Sequence, residues 1–169
     1  MKRKTHLWML ALYLLAGTVS ARGAEQEKAF IIDEFDFEWV VAKSGKAKLV
    51  VNKTHETTRI ILREGGMMGD SMWLLPANAE AIGKALADVD KYFAKMRNSK
   101  NDVTESVEAR DYRVIFNFSK KYGFSVVIRP KKRFSMSSLS LERSQAKAFA
   151  PHMQKAKAMV AYVDRKVKF

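Results

Sequence analysis

The chain contains two segments that match each other, and this internal repeat limits the folds it can adopt more than any other feature. Residues 48–52 (KLVVN) correspond to residues 113–117 (RVIFN), 65 positions further on. Residues 59–63 (RIILR) correspond to residues 125–129 (SVVIR), 66 positions further on. The separation grows along the chain, which is what hairpin loops of unequal length produce between retained elements. The repeat therefore predicts one structural unit that is present twice.

Each half ends in a stripe of apolar residues with helical spacing, and the two stripes match at a separation of 67. Residues three and four apart share a helix face, so each stripe predicts an amphipathic helix packed on a sheet. Pro76 stands where the first helix would begin, a position at which its missing N–H costs little. Pro151 falls inside the second stripe, and we expect it to kink or restart that helix. The stripes are Ala79, Ile82, Leu86, Val89, Phe93 and Met96, and then Ala146, Phe149, Met153, Ala156, Val160 and Val163.

Upstream of each helix, apolar residues alternate with polar ones. This alternation is typical of antiparallel strands with one solvated face, and it is clearest in residues 35–39, 112–119 and 124–129. Residues 43–46 and 120–123 are predicted hairpin turns, because each combines glycine with polar residues. Each half therefore contains strands first and a helix last.

The predicted fold class is α+β, with two repeated units of an antiparallel four-stranded sheet followed by an amphipathic helix. A change of phase near Ser137 and Ser138 predicts a bulge in the last strand. We place the units at residues 22–101 and 102–169, with the boundary in the polar stretch 97–102. Units of this size are marginal alone, so we expect the two to pack as one domain.

This tandem order of four strands and a helix resembles the layout of the plant Whirly proteins, which bind single-stranded DNA. The resemblance covers most of residues 29–165 and is one of architecture. It implies a two-unit α+β fold and, as an expectation about function, a protein that binds single-stranded nucleic acid.

Residues 1–21 have the pattern of a signal peptide. Three basic residues at positions 2–4 precede an apolar run at residues 7–19, and small residues end at Ala21, near which we expect cleavage. The run is shorter than the ~20 residues of a transmembrane helix, although an uncleaved anchor is the alternative. We therefore expect the protein to be periplasmic or secreted.

Candidate catalytic, metal and cofactor sites are sparse, and we predict none of them. The chain has no cysteine, which excludes disulfides, thiolate metal sites and cysteine nucleophiles. His55 and His152 have no partner at a ligand spacing, and the glycine-rich residues 65–69 lack the lysine of a phosphate loop. Ser71 lies outside a Gly-x-Ser-x-Gly elbow, and the carboxylates of residues 33–38 run along one strand instead of facing each other across a cleft. The sequence favours a non-enzymatic role.

Charge divides unequally between the halves. Residues 22–110 hold 14 basic and 15 acidic side chains, whereas residues 111–169 hold 14 basic and only 3 acidic ones. A basic patch of this kind attracts polyanions by counterion release and electrostatic steering. Tyr122 and Phe134 flank the patch and are candidates for stacking on bases. The predicted polyanion-binding residues are Arg113, Lys120, Lys121, Arg129, Lys131, Lys132 and Arg133.

Three functional hypotheses follow from these patterns. The first is an exported binding module whose basic C-terminal half docks an anionic partner, such as a lipid head group on a membrane surface, a wall polymer or an acidic protein. The second is a single-stranded nucleic-acid-binding protein, as the resemblance implies. The third is a hydrolase whose Ser, His and Asp residues are dispersed along the chain.

Overall fold

The computed structural model describes residues 35–64, 70–132 and 138–168, and these residues belong to one compact α+β unit. Several sequence predictions lie outside the described residues. They are the signal peptide at residues 1–21, the glycine-rich residues 65–69, Arg133, Phe134 and the first half of the predicted bulge at Ser137.

The first sheet is an antiparallel meander, because its strands pair in chain order. Leu49 and Val51 on one strand lie opposite Leu62 and Ile60 on the next, and all four are fully buried. Alternate residues of a strand point to the same side, so these four side chains form one apolar face. The strands are β1 (Asp36–Ser44), β2 (Ala47–Thr54), β3 (Thr58–Arg63) and β4 (Ser71–Leu74).

The second sheet repeats this arrangement. Val114 lies opposite Ile128 and Phe116 lies opposite Val126, and these four side chains are also fully buried. The strands are β5 (Val103–Ala109), β6 (Tyr112–Ser119), β7 (Gly123–Pro130) and β8 (Leu139–Leu141), again paired antiparallel in chain order.

Each sheet is followed by two helices instead of the single helix that the stripes predict. The helices are α1 (Pro76–Ala87), α2 (Val89–Met96), α3 (Arg143–Met153) and α4 (Ala156–Lys166). Pro76 is the first residue of α1, as predicted. Among the described residues, no helix is both long enough and apolar enough to cross a membrane.

The break between helices does not occur where the proline predicts it. Pro151 lies inside α3, and the helix ends only at Met153. The first unit breaks at Asp88, which is equivalent to Lys155 at the separation of 67, although Lys84 stands at the position of Pro151. Since both units break at the same place and only one has a proline, the proline is not the cause of the break.

The helices of each unit pack mainly on the sheet of the other unit. Helix α4 contacts β2 and β3, whereas α2 contacts β6. The ring of Tyr92 on α2 stacks on Phe116 of β6, with 4.1 Å between the centroids. Helix α1 also contacts β5 and β6, and α3 contacts β1. This exchange produces one shared core, so the two units depend on each other for burial.

The two units are related by matching details at their first hairpins. Each hairpin has a two-residue loop whose first residue has a positive φ, which is 58° at Gly45 and 55° at Arg110. Equivalent helix residues reach across to these loops: Asn78 Nδ2 donates to Asp111 Oδ2 at 3.1 Å, and Gln145 Nε2 donates to the Ser44 carbonyl at 3.4 Å. These paired contacts tie each unit's helix to the other unit's sheet.

Helix α1 crosses the end of α3 at very close range. A Cβ built on Gly83 would lie 2.7 Å from the backbone N of Gln154 and 2.9 Å from the carbonyl carbon of Met153. Any side chain at this position would therefore force the two backbones apart, which explains a glycine in the middle of a helix.

Candidate anion-binding face

The outer face of the second sheet, which we call the β5–β8 face, forms an open cavity of about 510 Å³. Alternation along the strands creates it, because Val114 and Phe116 point into the core and their neighbours point outward. The lining residues are Thr104, Ser106, Arg113, Ile115, Asn117, Val127, Arg129 and Ser138.

Two arginines lie directly opposite each other on this face. Arg113 of β6 and Arg129 of β7 are partners in the strand register. Arg113 has a side chain that is 41% exposed, and Arg129 is also exposed. Like charges at directly opposite positions destabilise a sheet, so a compensating negative charge is expected near them.

Glu108 provides that charge for only one of the two arginines. Its Oε1 accepts from Arg113 Nε at 2.7 Å, and its Oε2 lies 2.5 Å from Lys131 Nζ. The hydrogen bond from Lys131 is the larger cause, and that from Arg113 the smaller, of a pKa of Glu108 that lies below its ordinary value. Within the part of the chain that the structure describes, Arg129 makes no ion pair.

The rest of the face is neutral. Ile115 lies opposite Val127 in the next row of the sheet, and both side chains are half-buried. Beyond them, Thr104 Oγ1 donates to Asn117 Oδ1 at 3.0 Å, which leaves the Asn117 amide N–H groups directed elsewhere. The cavity therefore has a cationic end, an apolar floor and a hydroxyl–amide end.

The predicted basic residues that the structure describes do not form one continuous patch. Lys120 and Lys121 lie in the turn between β6 and β7, seven and eight residues after Arg113, which at ~3.3 Å per residue is roughly 25 Å away. Tyr122 in the same turn is 79% exposed, and Lys121 Nζ lies 4.9 Å from its ring centroid. Lys131 and Lys132 follow β7 at the Arg113 end instead.

Other cations of the second unit pair with carboxylates of the first. Arg143 and Lys147 on α3 both contact Asp90 of α2, at 2.7 and 2.8 Å, and hold its pKa below the ordinary value. Lys157 lies 3.0 Å from Glu80 and likewise lowers the pKa of that carboxyl. Part of the unequal charge distribution therefore joins the two units and is not offered to a ligand.

The remaining candidates of the sequence lie apart from this face. His55 is in the turn between β2 and β3, and His152 is in α3. No group of three or more His, Asp or Glu side chains that could hold a metal ion is found among the described residues. The acidic residues of β1 are engaged, since Glu38 pairs with Arg63 and Asp36 accepts from Asn52.

Sequence reasoning missed most of the lining of the β5–β8 face. It selected residues by positive charge, so the neutral side chains Thr104, Ser106 and Ser138 were not selected. The alternation along β6 could have identified Ile115 and Asn117, because it puts both on the same face as Arg113.

Comparison of the sequence with models of known protein families gives no match, and comparison with curated proteins gives none.

Proposed function

We propose that this protein is a non-enzymatic binding module that docks an anionic partner on the β5–β8 face. The observation that carries the proposal is Arg129, which is exposed, lies opposite Arg113 and has no carboxylate partner among the described residues. An arginine with free N–H groups beside a second arginine is suited to carboxylate or phosphate, because both guanidinium forks donate to oxygen pairs.

The energetics of the arginine pair support a ligand at this place. Two like charges in directly opposite positions destabilise a sheet. A bound oxyanion removes that repulsion and adds charge-assisted hydrogen bonds. Binding and stability are therefore coupled, and anions that occupy the face should raise the melting temperature.

The place of action in this proposal is outside the cytoplasm, after removal of the segment near Ala21. This part rests on the basic, apolar and small-residue regions of residues 1–21. Anionic partners in that compartment include wall polymers, lipid head groups and acidic proteins.

A heparin column tests the proposal with two matched variants. Arg129→Gln and Arg165→Gln each remove one exposed arginine charge, the first from the β5–β8 face and the second from the end of α4. We expect Arg129→Gln to elute at clearly lower salt than Arg165→Gln, with both melting temperatures close to that of the parent protein. Equal elution of the two variants would show that only overall charge matters, and would contradict a site.

A further inference from the structure

The β5–β8 face is organised in three rows, and the rows differ in chemistry. Residues on one face of a strand repeat every two positions, so successive rows are about 6.6 Å apart. The first row holds Arg113 and Arg129, and the second holds Ile115 and Val127. The third row pairs Asn117 with Ser125 on β7, and Thr104 lies beside Asn117 on β5.

The first row fits a ligand with a single negative charge at one end. Glu108 already contacts Arg113, so Arg129 is the one cation of the lining without a carboxylate partner in the described chain. The second and third rows contain no charged side chain.

The third row fits a ligand that carries hydroxyl groups. Thr104 Oγ1 gives its hydrogen to Asn117 Oδ1, so its remaining lone pairs can accept. The Asn117 amide nitrogen can donate, and the hydroxyl of Ser125 can do both. Ser106 lies opposite Ile115 and adds a hydroxyl at the edge of the second row. Ligand hydroxyls are both donors and acceptors, which is the complement of this row.

The second row can pack against a ring that presents C–H groups on one face, and its aliphatic surface is poorly suited to the stacking of a nucleobase. Ile115 and Val127 offer an aliphatic surface, and none of the described lining residues is aromatic. Single-stranded nucleic acid is usually held by stacking on aromatic rings, which the described residues of this surface do not provide. The only exposed aromatic side chain of this hairpin's turn is Tyr122, at the far end.

We infer that the ligand is a uronic acid unit of an anionic polysaccharide. Its carboxylate lies between Arg113 and Arg129, its ring covers Ile115 and Val127, and its hydroxyls meet the row of Asn117. This inference rests on the proposed function, because it names the anion that the β5–β8 face docks.

Titration calorimetry with oligogalacturonate tests the inference on the complete protein. We expect binding that weakens about tenfold or more in Arg129→Gln, since a charge-assisted hydrogen bond is lost. The fully methyl-esterified oligomer, which keeps the sugar and lacks the charge, should bind weaker by a similar factor. Arg165→Gln is the control and should bind like the parent protein, and circular dichroism checks that each variant is folded.

A second variant separates the sugar from the charge. Asn117→Ala should weaken oligogalacturonate binding but leave the binding of polyphosphate unchanged, because only the sugar uses the third row. The result that overturns the inference is tighter binding of polyphosphate, of an oligothymidylate or of anionic vesicles than of oligogalacturonate, with the same dependence on Arg129. That outcome leaves the proposed function standing. If no anion binds in a manner that depends on Arg129, both proposals are wrong.

Discussion

The outer faces of the two sheets come from equivalent strands but carry different chemistry. On the first sheet, Glu38 pairs with Arg63 through both carboxylate oxygens. On the second, Arg129 is equivalent to Arg63 at a separation of 66, and Thr104 occupies the register position of Glu38. The arginine is present in both units, whereas among the described residues only the first unit has a carboxylate partner for it.

The apolar residues between the charged positions are also more exposed on the second sheet than on the first. Val50 and Ile61 of the first sheet are fully buried, while their equivalents Ile115 and Val127 are only half-buried. The bulky Trp73 of β4 is replaced at its equivalent position on β8 by Ser140. The first repeat thus pairs its arginine and has large side chains on its outer face, whereas the second has small polar side chains and an arginine with no carboxylate partner among the described residues. Two copies of one framework therefore present different chemistry to solvent.

The largest loss of stability is expected from a substitution at the crossing of α1 and α3. Gly83→Ala should lower the free energy of unfolding by about 1–3 kcal/mol, because its Cβ would overlap the backbone at Met153 and Gln154. Urea denaturation measures this loss. Lys84→Ala, one position away on the exposed side of α1, is the matched control and should change little. An unchanged Gly83→Ala variant would mean that the two units do not meet closely at this crossing.

The contrast between the outer faces can be removed by one substitution. Thr104→Glu places a carboxylate where the first sheet has Glu38, so it should pair with Arg129 and weaken anion binding about tenfold or more. Elution from heparin or titration with oligogalacturonate measures the change. Ser99→Glu, which adds the same charge in the segment after α2, should have a smaller effect. If both variants bind equally, the position of the charge is unimportant.

The first hairpins offer a smaller test of equivalence. Arg110 has a φ of 55°. This left-handed backbone conformation is unfavourable by about 1–2 kcal/mol for a residue with a Cβ, but not for glycine. Arg110→Gly should therefore stabilise the protein by about 0.5–1 kcal/mol, while Gly45→Ala should destabilise it by a similar amount. Thermal unfolding monitored by circular dichroism compares the two. Changes of the same sign would show that the loops are not conformationally equivalent.

The smallest change in stability at neutral pH is expected from removing the charge of Asp90, a carboxylate that joins the two units. Lys147 and Arg143 lower the pKa of Asp90 in the folded protein. The unfolded chain then binds more protons between the two pKa values, so this contribution is present above about pH 4 and is lost as the pH falls through the folded pKa. Asp90→Asn should make the free energy of unfolding less sensitive to pH below about 4. Asp70→Asn is the control, and an unaltered pH profile in Asp90→Asn would contradict the pairing.

Much of the architecture could be predicted from local patterns. The separations of 65 to 67 residues identify both sheets, and the alternation predicts that Arg113 and Arg129 share a face, which the strand register confirms. The α+β fold with two antiparallel four-stranded sheets is also confirmed. The helix break at Asp88 was not predictable, because the apolar stripe continues through it with unchanged spacing. The boundaries of the units stay predictions.

The candidate site was predictable only in part, since charge alone does not reveal which cations are already paired. Glu108 lies five residues before Arg113, yet only the hairpin between β5 and β6 brings the two together. Lys147 and Lys157 belong to the same basic half as Arg129, but the exchanged helices bring them to Asp90 and Glu80.

Spacing along the chain was enough to predict the two sheets and the residues that share a face, because helix and strand periods follow from that spacing. The sequence by itself also determined the excess of cations in the second half. Only the tertiary structure decided which cations have a partner, because an ion pair depends on a distance of a few ångströms between residues that are far apart in sequence. The exchange of helices between the sheets sets those distances, and it leaves Arg129 without a carboxylate among the described residues.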